Sequence, residues 1–272
     1  MRDVSGGLLP MHRETDLGQE RSANSSFNRD VSWHQMDLPT YWQSNYQDPH
    51  GDDLSFVAMI GAFMVDHLQG RSDLQGVDVG TGANLYPAFS MLPFCSALTL
   101  IDLSPSSIDW LTGELGGSLA AWTPFWDEFA KIPAYAAAGP LHEAIGARTR
   151  IEIKQASVFT LPDEQWDVGT MFFVAESISG DREEFRAALA RFVNALRPGA
   201  PFAVAFMENS EGWRVGDQDF PAVAVSIADV ISSMPYCTQL HHVKRLSAEE
   251  EPIRPGYTGM ILACGIKRST ES

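Results

Sequence analysis

Apolar and polar positions fall into blocks that predict strands and helices in regular succession. Leu74, Val77 and Val79 mark a short strand running into Gly80-Thr81-Gly82, after which Tyr86 to Leu92 reads as a helix. Ala97 to Asp102 is a second apolar strand ending in a carboxylate, Ile151 to Ala156 alternates as a third, and Trp166 to Phe173 and Pro201 to Phe206 are further strands. Helical spacing runs over Ser55 to Leu68, where Phe56, Ile60, Phe63 and Met64 share a face. It recurs over Ser106 to Leu115, over the Ala-rich segment from Asp127 to about Gly146, and over Glu184 to Leu196, which Arg197-Pro198-Gly199 closes. Val223 to Met234 is read as a helix, Leu240 to Leu246 as a strand, and Gly259 to Gly265 as a last strand antiparallel to its neighbour. Strands alternating with helices imply an α/β fold with a largely parallel sheet covered on both faces.

Composition narrows the picture. The 272 residues suffice for one α/β domain with a cover. Residues 1 to about 35 are polar and without sustained periodicity, and are expected to form a mobile tail with one helix near its end and no catalytic role. The net charge of −16, from 35 acidic against 19 basic residues, repels phosphate-rich partners, so nucleic acid is not an expected substrate. The stretch from Phe56 to Val65 is too short for a bilayer, which needs about 20 apolar residues. No secretory h-region is visible near the start, and Cys95, Cys237 and Cys264 are scattered without metal-ligand spacing. A cytoplasmic protein with reduced thiols and no metal is therefore expected.

The candidate chemistry begins at the glycine turn. A strand, a glycine-rich turn and a helix in that order make a nucleotide-type site at the carboxyl end of a parallel sheet. A dinucleotide fingerprint needs a third glycine three places after Gly82, and Leu85 stands there. Asp78, inside the strand, suits a loop that faces an amino acid and a ribose better than one that faces a diphosphate. Asp102 lies 22 residues after Gly80, where doubly wound nucleotide folds place an acid that accepts from two ribose hydroxyls.

Four stretches carry a more specific likeness: Tyr41-x-x-x-Asn45-Tyr46; Asp78-Val79-Gly80-Thr81-Gly82-x-x-x-Tyr86; the Asp102 strand with Trp110-Leu111 and Ala121-Trp122-Thr123-Pro124; and Phe173-Val174-Ala175-Glu176-Ser177 with Leu196-Arg197-Pro198-Gly199. Together they span roughly residues 38 to 267. In these the chain resembles class I S-adenosylmethionine-dependent methyltransferases, and more narrowly the nicotinamide, phenylethanolamine and indolethylamine N-methyltransferase family. The resemblance implies a Rossmann-like class I methyltransferase fold over 36–272, with an N-terminal helical lid over about 36–70. It implies that Tyr41 and Tyr46 close over the methyl donor, that Gly80, Thr81, Gly82 and Tyr86 sit at its amino-acid end, and that Asp102 holds the ribose. Leu103, Ser107, Ser157, Val158 and Phe173 complete the implied donor set. Ser107 and Ser157 depart from the Asn and Asp usual in the family beside the adenine.

Glu176 matches the acid that engages the acceptor amine in the phenylethanolamine branch, and Glu208 falls near a second substrate acid. With Tyr46 they form the implied catalytic set, the two carboxylates expected over one cleft. His241 and His242 sit in a late strand whose alternation would turn one of them toward it. The expected activity is methyl transfer from S-adenosyl-L-methionine, leaving S-adenosyl-L-homocysteine, to a small aromatic acceptor, either an indole ring carbon of the C3 type or an amine of a bacterial specialised metabolite. The aromatic side chains of Tyr41, Tyr46 and Trp213 motivate a flat acceptor. Arylalkylamine or pyridine N-methylation, nicotinamide-dependent oxidoreduction and a non-catalytic donor-binding partner protein remain as other readings.

Overall fold

In the computed structural model the described residues are 27–248 and 254–269, so most of the expected tail lies outside them. The strands are β1 (Leu74–Val79), β2 (Cys95–Asp102), β3 (Arg150–Gln155), β4 (Val168–Phe172), β5 (Pro201–Glu208), β6 (Trp213–Val215), β7 (Gln218–Phe220), β8 (Thr238–Ser247) and β9 (Gly259–Lys267). Seven of them form one sheet in the order β3-β2-β1-β4-β5-β9-β8, while β6 and β7 pair separately. The pairs among β1 to β5 are parallel, and β9 runs antiparallel to both β5 and β8. This is the mostly parallel sheet with an antiparallel last strand that the patterning implied.

Strand position follows from side-chain chemistry. β4 and β5 are buried at every residue, as continuous apolar runs in mid-sheet must be, whereas β3 exposes Arg150, Lys154 and Gln155 and lies at the edge. Two apolar layers sandwich the sheet. On one side Phe56, Ile60, Phe63 and Met64 pack with Trp122, Phe125 and Phe129; on the other are Phe185, Leu189, Phe192 and Val193. The helices are α1 (Leu38–Asn45), α2 (Gly51–Leu68), α3 (Tyr86–Phe89), α4 (Pro105–Leu115), α5 (Thr123–Phe129), α6 (Pro133–Ala136), α7 (Leu141–Glu143), α8 (Arg182–Ala195) and α9 (Ile227–Ser233).

Three departures from the patterning have local causes. α2 begins at Gly51 rather than Ser55, because Asp52 and Asp53 in its first turn favour a helix N-terminus. The expected helix over Tyr86 to Leu92 stops at Phe89: Ser90 turns its hydroxyl back onto the Pro87 carbonyl at 2.6 Å, and Pro93 follows. The Ala-rich segment from Asp127 to Gly146 is broken by Pro133, by Pro140 and by Gly139 and Gly146 in left-handed conformations. The hairpin of β6 and β7 went unread, although Trp213-Arg214-Val215 and Gln218-Asp219-Phe220 alternate around Gly216-Asp217, a recognisable two-residue turn.

The order β2-β1-β4 makes the sheet reverse direction between β1 and β4. The crevice at such a switch point, outside the carboxyl ends of the strands, is where open α/β sheets hold ligands.

Candidate active site

The site grows from the two chain segments that leave β1 and β4. Gly80 (φ +68°) turns in the left-handed region, and a Cβ built on it would lie 2.4 Å from Val174 Cγ2. Glycine is therefore required twice over, by dihedral and by space. The N–H groups of Gly80 and Thr81 both donate to the Ile101 carbonyl, at 2.7 and 3.1 Å, and Gly82 N donates to Asp102 Oδ2 at 2.9 Å. The turn after β1 is thus bonded to the end of β2. Asp102 Oδ1 accepts from Ser104 N at 2.9 Å. Burial raises the Asp102 pKa, opposed by these backbone N–H donors.

A cavity of about 860 Å³ opens over this turn. Its walls contain Tyr41, Tyr46, Gly80, Thr81, Gly82, Asp102, Leu103, Ser157, Val158 and Phe173, all expected from the sequence, and also Asn84, Ser104, Trp33 and Asn28, which were not. Asn84 Oδ1 and Nδ2 are both buried without a hydrogen bond of ordinary geometry among the described residues, although the amide lies near enough to the Tyr86 hydroxyl to pull its pKa down. Buried amides are normally paired, so this one offers a donor and an acceptor to whatever fills the cavity. Tyr86 and Ser107 line neither this cavity nor its neighbour. Tyr86 is fully buried and its hydroxyl donates to Asp53 Oδ1 at 2.9 Å, while the buried Ser107 hydroxyl stands near Asp102 and helps to hold its pKa down.

A second cavity of about 1580 Å³ adjoins the first and shares Tyr41, Tyr46, Phe173, Trp213 and Arg254 with it. Phe173 holds φ +60°, strained for a non-glycine residue, and its N–H donates to the Ala205 carbonyl at 2.8 Å. Phe173 lies on the wall common to both spaces. Trp213 stacks on Phe220 with centroids 4.3 Å apart and tilts against Tyr41 at 5.4 Å, and its Nε1 donates to the Ser177 carbonyl at 3.2 Å. The hairpin missed in the sequence therefore builds this wall. Trp33 stacks on Phe220 at 5.5 Å, and its carbonyl accepts from Ser104 Oγ, so the segment just before α1 covers the first cavity. Nothing local in residues 27–35 signals that.

The two expected substrate carboxylates stand elsewhere. Glu176 is completely buried and lines neither cavity: Oε1 accepts from Met207 N at 3.0 Å and Ser177 Oγ at 3.1 Å, and Oε2 has no partner among the described residues. Glu208 is held by Arg245 Nε at 2.6 Å and by the Thr258 hydroxyl at 2.5 Å, again outside both linings. Two carboxylates line the second cavity, Asp52 and Asp53, with His50 beside them, and Asp53 is the buried one. Asp53 is in the first turn of α2, and burial pushes its carboxyl up to about 6 against the Tyr86 hydroxyl bond. His241 and His242 stand by Phe63 and His67, with His67 and His241 rings 4.7 Å apart, and line neither cavity. Among the described residues no cluster of His, Cys, Asp or Glu is arranged to hold a metal ion.

Buried carboxyls set a testable pH dependence. Burial raises Asp78, which accepts from Thr170 Oγ1 at 2.6 Å, to about 7, and Glu176 to about 7. Each keeps its proton in the fold over a range where the unfolded chain has released it. The stability they contribute is therefore full near pH 4 and is lost as pH rises through 7. Every tenfold difference in proton affinity between the folded and unfolded chain corresponds to about 1.4 kcal/mol. The unfolding midpoint is expected to drop by several degrees between about pH 5.5 and 8, and Glu176→Gln should flatten that slope. A midpoint that rises over the same interval contradicts the assignment.

No protein-family model matches the chain, and no curated protein sequence does. Solved structures do. An S-adenosylmethionine-dependent methyltransferase from Methanosarcina mazei superposes with a TM-score of 0.54 over 77% of this chain and 98% of its own, at 12% identity. The N-methyltransferase NodS from Bradyrhizobium japonicum, solved with S-adenosyl-L-homocysteine, matches at 0.52 over 87% and 95%, at 13% identity. The chain has the class I methyltransferase fold. The glycine turn and Asp102 lie at the reversal between β1 and β4, and the larger cavity lies beyond the shared aromatic wall. Among the described residues no helix is long and apolar enough to cross a membrane.

Proposed function

We propose that the protein is an S-adenosylmethionine-dependent methyltransferase acting on a small aromatic acceptor, at an indole ring carbon or an amine. The observation that carries this reading is the pair of adjoining cavities divided by Tyr41, Tyr46, Phe173, Trp213 and Arg254. The residues of the smaller cavity suit the donor. Asp102 presents a carboxylate, fixed by the Gly82 and Ser104 N–H groups, to the ribose hydroxyls, Gly80 lets the turn pack against Val174 at the cavity edge, and the buried Asn84 amide suits an amino-acid end. Leu103, Ser157 and Val158 would flank the adenine. When bound, the donor supplies an electrophilic methyl group on a sulfonium.

The protein's own part is alignment, dryness and one proton acceptor. Tyr41, Tyr46 and Trp213 give the junction an aromatic lining that suits a flat acceptor and excludes water. Asp53, rather than Glu176 or Glu208, is the carboxylate positioned to hold an acceptor N–H or take its proton, with Tyr86 fixing its orientation. Methyl transfer is then expected to fall as pH drops below about 6, where Asp53 becomes protonated. Asp53→Asn should abolish that limb of the profile while leaving S-adenosylhomocysteine binding intact. Incubation with methyl-labelled donor and a panel of indoles, arylalkylamines and pyridines tests the activity, and the NMR methyl signal of the product separates carbon from nitrogen. Donor binding without transfer to any of these would support a non-catalytic donor-binding protein instead.

A further inference from the structure

Arg254 is the one residue of the dividing wall whose chemistry the proposed reaction leaves unused. Its side chain is 6% exposed, yet it borders both cavities. Its guanidinium lies over the Trp213 ring, 5.2 Å from the centroid, and Nη1 reaches only the Ser177 hydroxyl at 3.3 Å. Among the described residues it has no carboxylate within ion-pair distance. Glu176 feels its charge, and Ser177, whose hydroxyl donates to Glu176 Oε1, bridges the two. A buried guanidinium with no carboxylate bonded to it among the described residues is costly, and its planar fork matches a carboxylate with two parallel hydrogen bonds.

The surroundings add the opposite charge. Asp53 and Asp52 also line the second cavity, and the rest of its wall includes the rings of Tyr41, Tyr46, Tyr257 and Trp213. Tyr46 and Tyr257 feel both poles: burial lifts each phenol, Asp53 lifts it further, and Arg254 pulls it down. An aromatic body in this space would thus meet a cation where the two cavities join and carboxylates elsewhere on the wall of the second. A protein with a net charge of −16 repels anions in general, so a buried cation at this junction selects for an anionic group at one place.

We propose that the acceptor is an aromatic compound bearing a carboxylate, and that Arg254 anchors this carboxylate at the junction of the two cavities. The inference rests on the methyltransferase reading. The same guanidinium chemistry would suit the carboxylate of the donor's amino-acid end, and the test separates the two sources.

The probes are pairs that differ only in the carboxylate: L-tryptophan and tryptamine, L-tyrosine and tyramine, anthranilate and aniline. Binding is measured by calorimetry on the full chain saturated with S-adenosylhomocysteine. At least one acid should bind ten-fold or more tightly than its decarboxylated partner. Arg254→Met should erase that preference with S-adenosylhomocysteine affinity changed less than three-fold, and Arg254→Lys, which keeps the charge without the fork, should retain part of it. The proposal is overturned if no acid binds better than its partner, or if Arg254→Met leaves the preference unchanged. It is overturned as well if either Arg254 variant loses S-adenosylhomocysteine affinity ten-fold, which would assign the guanidinium to the donor. Failure of the unsubstituted protein to bind S-adenosylhomocysteine at all would instead remove the methyltransferase reading itself.

Discussion

Replacing Asp102 with alanine is expected to weaken S-adenosylhomocysteine binding by roughly 100- to 1,000-fold. Two contributions add. The ribose hydroxyls lose a charged acceptor, and each such bond is worth about 1.5–3 kcal/mol, against about 1.4 kcal/mol for a ten-fold change in affinity. The glycine turn also loses its tether, because Gly82 N and Ser104 N both donate to this carboxylate. Asp102→Asn separates the two, since one oxygen can still accept from Ser104 N while the other position becomes a donor facing Gly82 N. It should bind more weakly than the native protein but more strongly than the alanine variant. Calorimetry measures the affinities, and thermal unfolding reports the fold. An alanine variant that binds within three-fold of the native protein would remove Asp102 from the donor site.

Gly80→Ala is expected to damage binding and stability together. The new Cβ would lie 2.4 Å from Val174 Cγ2 and 2.9 Å from Cγ1, at a backbone φ of +68°. Left-handed strain costs about 1–2 kcal/mol and overpacking about 1–3 kcal/mol, so a loss of roughly 2–5 kcal/mol is expected. Val174 leaves β4 and Gly80 leaves β1, so relief of the clash must widen the crevice where the donor sits, and affinity should drop at least 100-fold. The steric part is separable. Gly82→Ala, whose Cβ would meet nothing nearer than 3.8 Å, should show only the dihedral cost. Val174→Ala combined with Gly80→Ala should recover a large part of the stability lost, as a coupling expected of atoms in contact. If the double variant is no better than the sum of the two single ones, the clash is not what makes Gly80 necessary.

Both variants act on features that were legible along the chain. The strand before Gly80, the two glycines, Leu85 in place of a third and the acid ending β2 are local matters of dihedral freedom, side-chain volume and spacing. Strand order was not read along the chain, although the burial of Pro201 to Phe206 in mid-sheet and the exposure of Arg150, Lys154 and Gln155 on the edge strand agree with their composition. Helix ends were less legible. α3 stops where a hydroxyl competes for the backbone, and the Ala-rich segment breaks at prolines and left-handed glycines, which weigh more than the propensity of the alanines between them.

The acceptor side was the least legible. Glu176 and Asp53 are both acids near element ends, and sequence position favoured Glu176, which follows β4. Packing turned it inward to the Met207 N–H, while the first turn of α2 brought Asp53 to the cavity, with Tyr86 holding one oxygen. Neither orientation is a property of neighbouring residues. Trp33 before α1, Trp213 on the hairpin and Arg254 before β9 likewise carry no distinguishing pattern in their own segments.

Sequence by itself determined the half of the site that we propose for the donor: a parallel sheet, a glycine turn where β1 ends, and an acid at the end of β2. Those elements are specified by backbone conformation and by contacts between adjacent strands, and both are encoded in short spans. Only the tertiary structure decided the acceptor half. Its wall joins Tyr41, Phe173, Trp213 and Arg254 from four distant parts of the chain, and which carboxylates face it depends on how burial distributes charge between core and cavity, a balance settled only once the whole fold has closed.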